Sequence, residues 1–283
     1  MTMKEDPMSA PIDILDHISD LKAAGETFAV ATVIRTVSVT AAKAGAKAVI
    51  RADGHISGGW IGGGCAKGAV VKAAKEILKS GTPRVIALQP EDLLKEQGVV
   101  TGEEQDGIHY ARNMCPSQGS MDIFIEPVLP RPALFIYGAS PVAVALNTLA
   151  RSMGFDCIVC APADLHAGFD MMNQPVDGFA IEGRFRADAF AIISTQGNGD
   201  ALALKEALAY PWQHIAFVGS SKKMAALRDK LSADGVAASA LDQVRAPAGL
   251  DLGAITPEEI ALSILAEITR VRRRGIKHGG EVQ

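Results

Sequence analysis

Leu134-Phe135-Ile136-Tyr137-Gly138-Ala139-Ser140-Pro141-Val142-Ala143 decides the fold. Four large apolar residues, a glycine, and then serine-proline ahead of an alanine- and valine-rich stretch read as a buried strand. That strand turns sharply into a helix running to residue 153. Working outward, apolar strands recur at 156–160, 190–194 and 215–218, with helix-forming segments between them. Alternation of this kind implies a parallel, doubly wound sheet covered by helices on both faces.

Upstream, Leu129-Pro130-Arg131-Pro132 breaks the pattern, because two prolines cannot join a central strand or helix. The expected division is therefore an N-terminal mixed α/β domain over 1–130 and a Rossmann-like doubly wound domain over 131–283. In the first domain, Ile12, Leu15, Ile18 and Leu21 predict an amphipathic helix over 11–24. Strands are expected at 28–37 and 46–51, then through the Asp53-Gly54 turn into 55–61. Gly62-Gly63-Gly64 opens a helix over 65–79 that Gly81 closes, and strands at 85–88 and 121–128 flank a polar stretch over 91–120. At the far end, Thr256-Pro257-Glu258-Glu259 supplies an N-cap, a proline at the first helical position and a capping-box glutamate. Ile260, Ile264 and Ile268 then run down one face, and Arg270, Arg272, Arg273 and Arg274 suit either the negative end of the helix dipole or a solvated end.

With 283 residues the chain can bury a substantial core in two units, at about 150 residues per domain. A hydrophobic share of 48%, a charged share of 21% and a net charge of −4 describe an ordinary globular protein. They give no global attraction for phosphate backbones or anionic membranes, so no nucleic-acid partner is expected. No apolar run approaches the roughly 20 residues a bilayer requires, and the first residues carry Lys4, Glu5 and Asp6 without an apolar signal segment. The expectation is a cytoplasmic protein with no transmembrane segment, whose four cysteines are thiols or ligands.

Three glycine-containing turns carry the chemistry. At Gly62, Gly63, Gly64 and Cys65, backbone N–H groups at a helix start can hold an anion, and Cys65 is placed to contact a metal or a sulfur. A tight turn with a buried cysteine fits the same residues. Gly138, Ala139, Ser140, Pro141 and Val142 stand where a dinucleotide fingerprint belongs, but Ser140 replaces the glycine that admits the pyrophosphate. The acid that would hold a ribose is missing at Cys160-Ala161-Pro162, and Asp164 comes late. Gly219, Ser220, Ser221, Lys222 and Lys223 form a phosphate corner or a capped helix with solvated lysines; Thr195 and Gln196 lie beside it along the carboxyl edge.

Cys157 and Cys160 share one strand and point to opposite faces, which favours two core thiols over a joint metal or disulfide. Cys115 lies in a polar connection. His17, His55, His109, His166, His214 and His278 show no metal-ligand spacing, and no hydrolase elbow, Walker loop or paired-carboxylate site stands out.

Together these segments resemble the XdhC/CoxI family of molybdenum cofactor accessory proteins. The resemblance rests on residues 28–33 with Arg35-Thr36, on Gly45-Ala46-Lys47, on Ala52-Asp53-Gly54 and on Gly62-Gly63-Gly64-Cys65. It continues through Phe135-Ile136-Tyr137-Gly138-Ala139 and Val218-Gly219-Ser220, and its most specific marker is 246–254 running into Thr256-Pro257-Glu258-Glu259-Ile260-Ala261. Thr40-Ala41-Ala42-Lys43 departs from the family's Ser/Thr-Pro-Arg, leaving Lys43 or Lys47 to meet an anion. Cys115-Pro116-Ser117-Gln118-Gly119 and Thr195-Gln196 depart from its Cys-Gly-Gly and Thr-His elements. The chain is most similar to the CoxF type associated with carbon monoxide dehydrogenase.

The resemblance implies a maturation factor and chaperone, and because no base or nucleophile pair for turnover stands out in the sequence, a carrier and inserter is expected rather than a catalyst. It would bind the molybdenum cofactor, in its cytosine dinucleotide form for that target, through Thr40, Lys47 and the three glycine turns, with Cys65 facing molybdenum, copper or sulfur. The implied partners are an apo-molybdenum hydroxylase, a sulfur or copper donor protein and a second copy in a homodimer. The alternatives are an oxidoreductase-like protein using FAD or NAD(P), and an adaptor that holds no cofactor.

Overall fold

The computed structural model describes residues 13–38, 40–116, 118–169 and 175–275, with residues 274 and 275 described without their side chains. The chain divides into two compact units, Met1–Pro130 and Arg131–Gln283.

The first unit runs α1 (Ile14–Ala23), β1 (Phe28–Val37), β2 (Lys47–Arg51), β3 (Ile56–Gly59), α2 (Gly64–Ser80), β4 (Arg84–Gln89), α3 (Glu91–Glu96), β5 (Glu104–Gln105), β6 (Ile108–Arg112) and β7 (Ser120–Val128). Its strands form one sheet in the order β3-β2-β1-β7-β4-β6-β5, antiparallel except where β6 runs parallel to β4. The alternation along β1 decides the layers. Ala29, Ala31 and Val33 face α2, where Val70, Ala73, Ala74 and Ile77 recur at helical spacing, while Phe28 and Val30 meet Leu21 of α1 on the other side. α1 begins after Asp13, whose carboxylate accepts the Leu15 N–H at 2.7 Å. The expected positions 11 and 12 of that helix lie outside the described residues.

The polar stretch over 91–120 is not a plain connection: it holds α3, β5 and β6. Ile-His-Tyr-Ala-Arg has too little apolar alternation to announce a strand, and its order comes from pairing with β4 along the sheet.

The second unit runs β8 (Ala133–Tyr137), α4 (Pro141–Ser152), β9 (Asp156–Ala161), a 3-10 turn (Ala163–Gly168), β10 (Val176–Asp177), β11 (Phe190–Ile193), α5 (Asp200–Ala207), β12 (His214–Phe217), α6 (Ser221–Ala233), α7 (Ala238–Leu241), β13 (Val244–Arg245) and α8 (Pro257–Gly275). The strands are parallel throughout, in the order β10-β9-β8-β11-β12-β13. This is the doubly wound Rossmann-like arrangement, with its topological switch between β8 and β11. β8 is buried along its whole length because both faces of the sheet are covered. Phe135 and Tyr137 join Trp212, Phe217 and Leu204 on one side; Leu134 and Ile136 join Leu146 of α4 with Ile264, Leu265 and Ile268 of α8 on the other. Each of those α8 side chains contributes about 1.5–3 kcal/mol by leaving water.

α8 carries its capping box: Thr256 Oγ1 accepts the Glu259 N–H at 3.3 Å, and Glu259 accepts the N–H groups of Ile255 and Thr256. Its arginines are not all solvated. Arg270 reaches the buried Glu267 and Arg272 lies over the Phe155 ring at 5.3 Å, while the side chain of Arg274 lies outside the described residues.

Candidate functional site

Where the sheet switches direction, the ends of β8 and β11 open a cavity of about 210 Å³ lined by Ser140, Pro141, Val142, Ser194, Gln196, Val218 and Pro257. This carboxyl edge is where ligands bind in open α/β sheets. Gly138 allows the two loops to meet. Its φ is +107°, and a Cβ there would stand 2.5 Å from the Ser194 carbonyl oxygen. Behind it, the Ser140 and Ser194 hydroxyls lie 2.6 Å apart, both residues buried, and Ser140 Oγ also accepts the Ala143 N–H at 3.2 Å.

Thr195 and Gln196, neighbours in sequence, part company. Gln196 lines the cavity with φ at +53°, whereas Thr195 turns inward and donates its hydroxyl to Asp200. That buried carboxylate also accepts the Gly197 N–H at 3.2 Å and the Lys223 ammonium at 2.7 Å. Burial pushes the Asp200 carboxyl up, but Lys223, Thr195 and Gly197 together outweigh it and hold the group below its ordinary range. Asp200 thus ties the Gln196 loop to the first turn of α6. Lys223 is committed there and lies over the Phe217 ring, which leaves Lys222, exposed, as the cation facing solvent.

The marker segment at 246–254 has a structural reason. Gly249 sits at φ +93°, where a Cβ would run into Ser263, and its N–H goes to the buried Glu267 carboxylate at 2.9 Å. His214 at 3.3 Å, Arg270 at 3.4 Å and Arg245 at 3.6 Å surround that carboxylate. Burial keeps the His214 imidazole below its ordinary range, only partly countered by Glu267. This network pins the loop that leads into Pro257, a wall of the cavity.

In the first unit, α2 starts at Gly64 after Gly63, and a Cβ on either would meet nothing within 4 Å, so the turn's backbone lies open. Cys65, half-buried, is the second helical residue. Gly62 packs beside Ala41 and Met121, which brings the 40–45 turn alongside. Thr40 donates to the Ala42 carbonyl at 2.7 Å and Lys47 to Thr32 at 2.8 Å, so both are occupied within the unit. Cys115 is exposed. A second cavity of about 100 Å³ lies against α2 and β6, with Lys72, Glu76 and His109 in its walls. Cys157 and Cys160 fall in opposite core layers, and burial pushes each thiol up to about 12. Among the described residues no group of three or more His, Cys, Asp or Glu is placed to hold a metal ion.

Of the positions the sequence singled out in the second unit, Ser140, Pro141, Val142 and Gln196 line the cavity. Gly138 makes the turn behind it, and Gly219, Ser220, Ser221 and Lys222 follow directly from Val218 in its wall. Sequence reasoning missed Ser194, Val218, Asp200 and the part Pro257 plays. Ser194 ends an apolar strand at the switch point, a signal in plain view; nothing local marks Asp200.

Family models match in chain order: the XdhC and CoxI family over residues 21–89 and the XdhC Rossmann domain over 134–268. The chain is 28% identical over 269 residues to the uncharacterized protein YqeB of Escherichia coli K12, covering 92% of this chain and 46% of that one. It is 29% identical over 161 residues to a probable subunit of xanthine dehydrogenase from Bacillus subtilis 168, covering 54% of this chain and 47% of that one. The chain thus spans a little under half the length of either curated relative. A crystal structure described as a xanthine dehydrogenase from Bacillus halodurans aligns over 94% of this chain and 97% of that one, at 18% identity and a TM-score of 0.46. No helix among the described residues is long and apolar enough to cross a membrane.

Proposed function

The chain belongs to the XdhC and CoxI family, and from that premise we propose that it is an accessory protein of molybdenum hydroxylases. It takes the molybdenum cofactor as cargo and assists its modification or insertion into an apo-enzyme of the xanthine dehydrogenase type. The observation that carries the reading is the cavity at the switch point of the family's Rossmann domain, walled by hydroxyls, an amide and apolar side chains. In the first unit, taken by itself, the open backbone of Gly63 and Gly64 beside Cys65 supports a separate contact with such a cargo. N–H groups there suit an oxyanion, and a single thiol suits a metal or sulfur whose other ligands arrive with the cargo.

The finer form of the proposal is a cytosine dinucleotide cofactor, carbon monoxide dehydrogenase as client, a sulfur or copper donor protein as second partner, and a homodimer acting in the cytoplasm. A second reading, FAD or NAD(P) in the Rossmann domain, is favoured by the Gly138 turn at the end of β8; a flavin absorption band in the purified protein is its cheapest test.

Reconstitution tests the first reading. Apo-hydroxylase incubated with cofactor and the wild-type chain is expected to gain activity faster than with cofactor alone, and Cys65→Ser to remove the advantage. Equal maturation by Cys65→Ser overturns the role of Cys65, and no advantage for the wild type overturns the accessory role.

A further inference from the structure

A helix that opens on a dinucleotide's diphosphate offers it the free N–H groups of its first turn. In α4 the first and third of those donors are gone, and of the three only the Val142 N–H has no partner among the hydrogen bonds of this turn. Pro141, at the first helical position, has none; the Ala143 N–H is taken by Ser140 Oγ at 3.2 Å, and the Ser140 N–H faces the Ser194 carbonyl at 3.4 Å. The Ser140 side chain fills the place where a second glycine admits the pyrophosphate, and its bond to Ser194 holds it there. No lining side chain of the cavity is charged, and about 210 Å³ accommodates one ring or one sugar rather than a whole dinucleotide. The two serine hydroxyls share one hydrogen between them, which leaves the other to donate to a ligand acceptor.

We infer that this cavity receives an uncharged, hydrogen-bonding ring or sugar of a nucleotide-type ligand, and that Ser140 and Pro141 keep the ligand's diphosphate off the first turn of α4. The inference rests on reading this unit as a nucleotide binder, and it deepens that reading by separating the ligand's neutral part from its charge.

The test uses the full chain titrated by calorimetry with cytidine, inorganic pyrophosphate and NAD. Cytidine is expected to bind without competition from pyrophosphate, and Ser194→Ala to weaken it about threefold to tenfold, the range of one neutral hydrogen bond. Pro141→Ala keeps the serine cap and restores one donor; Ser140→Gly with Pro141→Ala also opens the approach. Each is expected to tighten NAD binding, the single change by about tenfold. NAD binding that neither variant alters, or pyrophosphate displacing cytidine from the wild type, overturns the inference while leaving nucleotide binding intact. If neither wild type nor variants bind any of the three probes, nucleotide binding by this unit falls, and the inference with it.

Discussion

α4 and α6 leave strands on either side of β11, and both are capped by a serine: Ser140 accepts the Ala143 N–H and Ser220 the Lys223 N–H, each at 3.2 Å. Beyond the cap they diverge. At α4 the first helical residue is proline, the cap serine is buried against Ser194, and the turn is pressed onto the β11 loop. At α6 the first residues are Ser221 and Lys222, both exposed, and Ser220 is exposed as well. The two turns read alike as glycine followed by small residues. What separates an anion corner from a neutral one is the residue at the first helical position and whatever packs behind the cap.

The largest effect should follow from Gly138→Val, which places a Cβ against the Ser194 carbonyl at a backbone angle valine does not tolerate. Unit two should lose about 4 kcal/mol in thermal or denaturant unfolding. Gly219→Ala, whose new Cβ runs into the ring of the fully buried Phe217 but at a backbone angle alanine tolerates, should lose about 2 kcal/mol; equal losses would mean that the α6 turn is as tightly held. Next comes Asp200→Ala, which strands Thr195, the Gly197 N–H and Lys223. About 2 kcal/mol is expected, because Lys223 is 40% exposed and recovers water. The Asp200 carboxyl sits below its ordinary value in the fold, so its contribution is present above about pH 4 and fades as the pH falls through the folded value. Asp200→Asn should flatten unfolding measured between pH 5 and pH 3.

Ser140→Ala should cost about 2 kcal/mol, a cap plus an abandoned Ser194 hydroxyl, against about 1 kcal/mol for Ser220→Ala, a cap alone. His214 gives a smaller, pH-dependent effect. Burial holds it neutral, so stability is full above about pH 6.5 and declines as the pH falls and the unfolded chain takes up the proton more readily. His214→Gln should remove that decline in melts between pH 7 and pH 5. Lys222→Ala, at an exposed position, should change stability by less than about 0.5 kcal/mol while weakening any phosphate-bearing ligand.

The second unit was legible because its strands are buried on both faces and read as unbroken apolar runs, as 134–137 and 190–193 do. β6 was not, since Ile108–Arg112 gains its order from pairing with β4 rather than from its own residues. The same division holds at the site. Ser140, Pro141, Val142 and Gln196 stood in turns that sequence marks, whereas Asp200 meets Lys223 only after β11 and β12 are laid side by side. Lys223 and Lys222 look equivalent in sequence; the fold commits one to a carboxylate and leaves the other to solvent.

Whether this chain holds a pterin cofactor is tested most directly on the protein purified from a host that makes the molybdenum cofactor. The full chain is denatured, and the released small molecules are analysed by mass spectrometry, with metal analysis for molybdenum and copper. A pterin dinucleotide or its oxidised fluorescent product is expected in the released fraction. Release of a flavin or a nicotinamide alone, or of no small molecule at all, would contradict the proposed role.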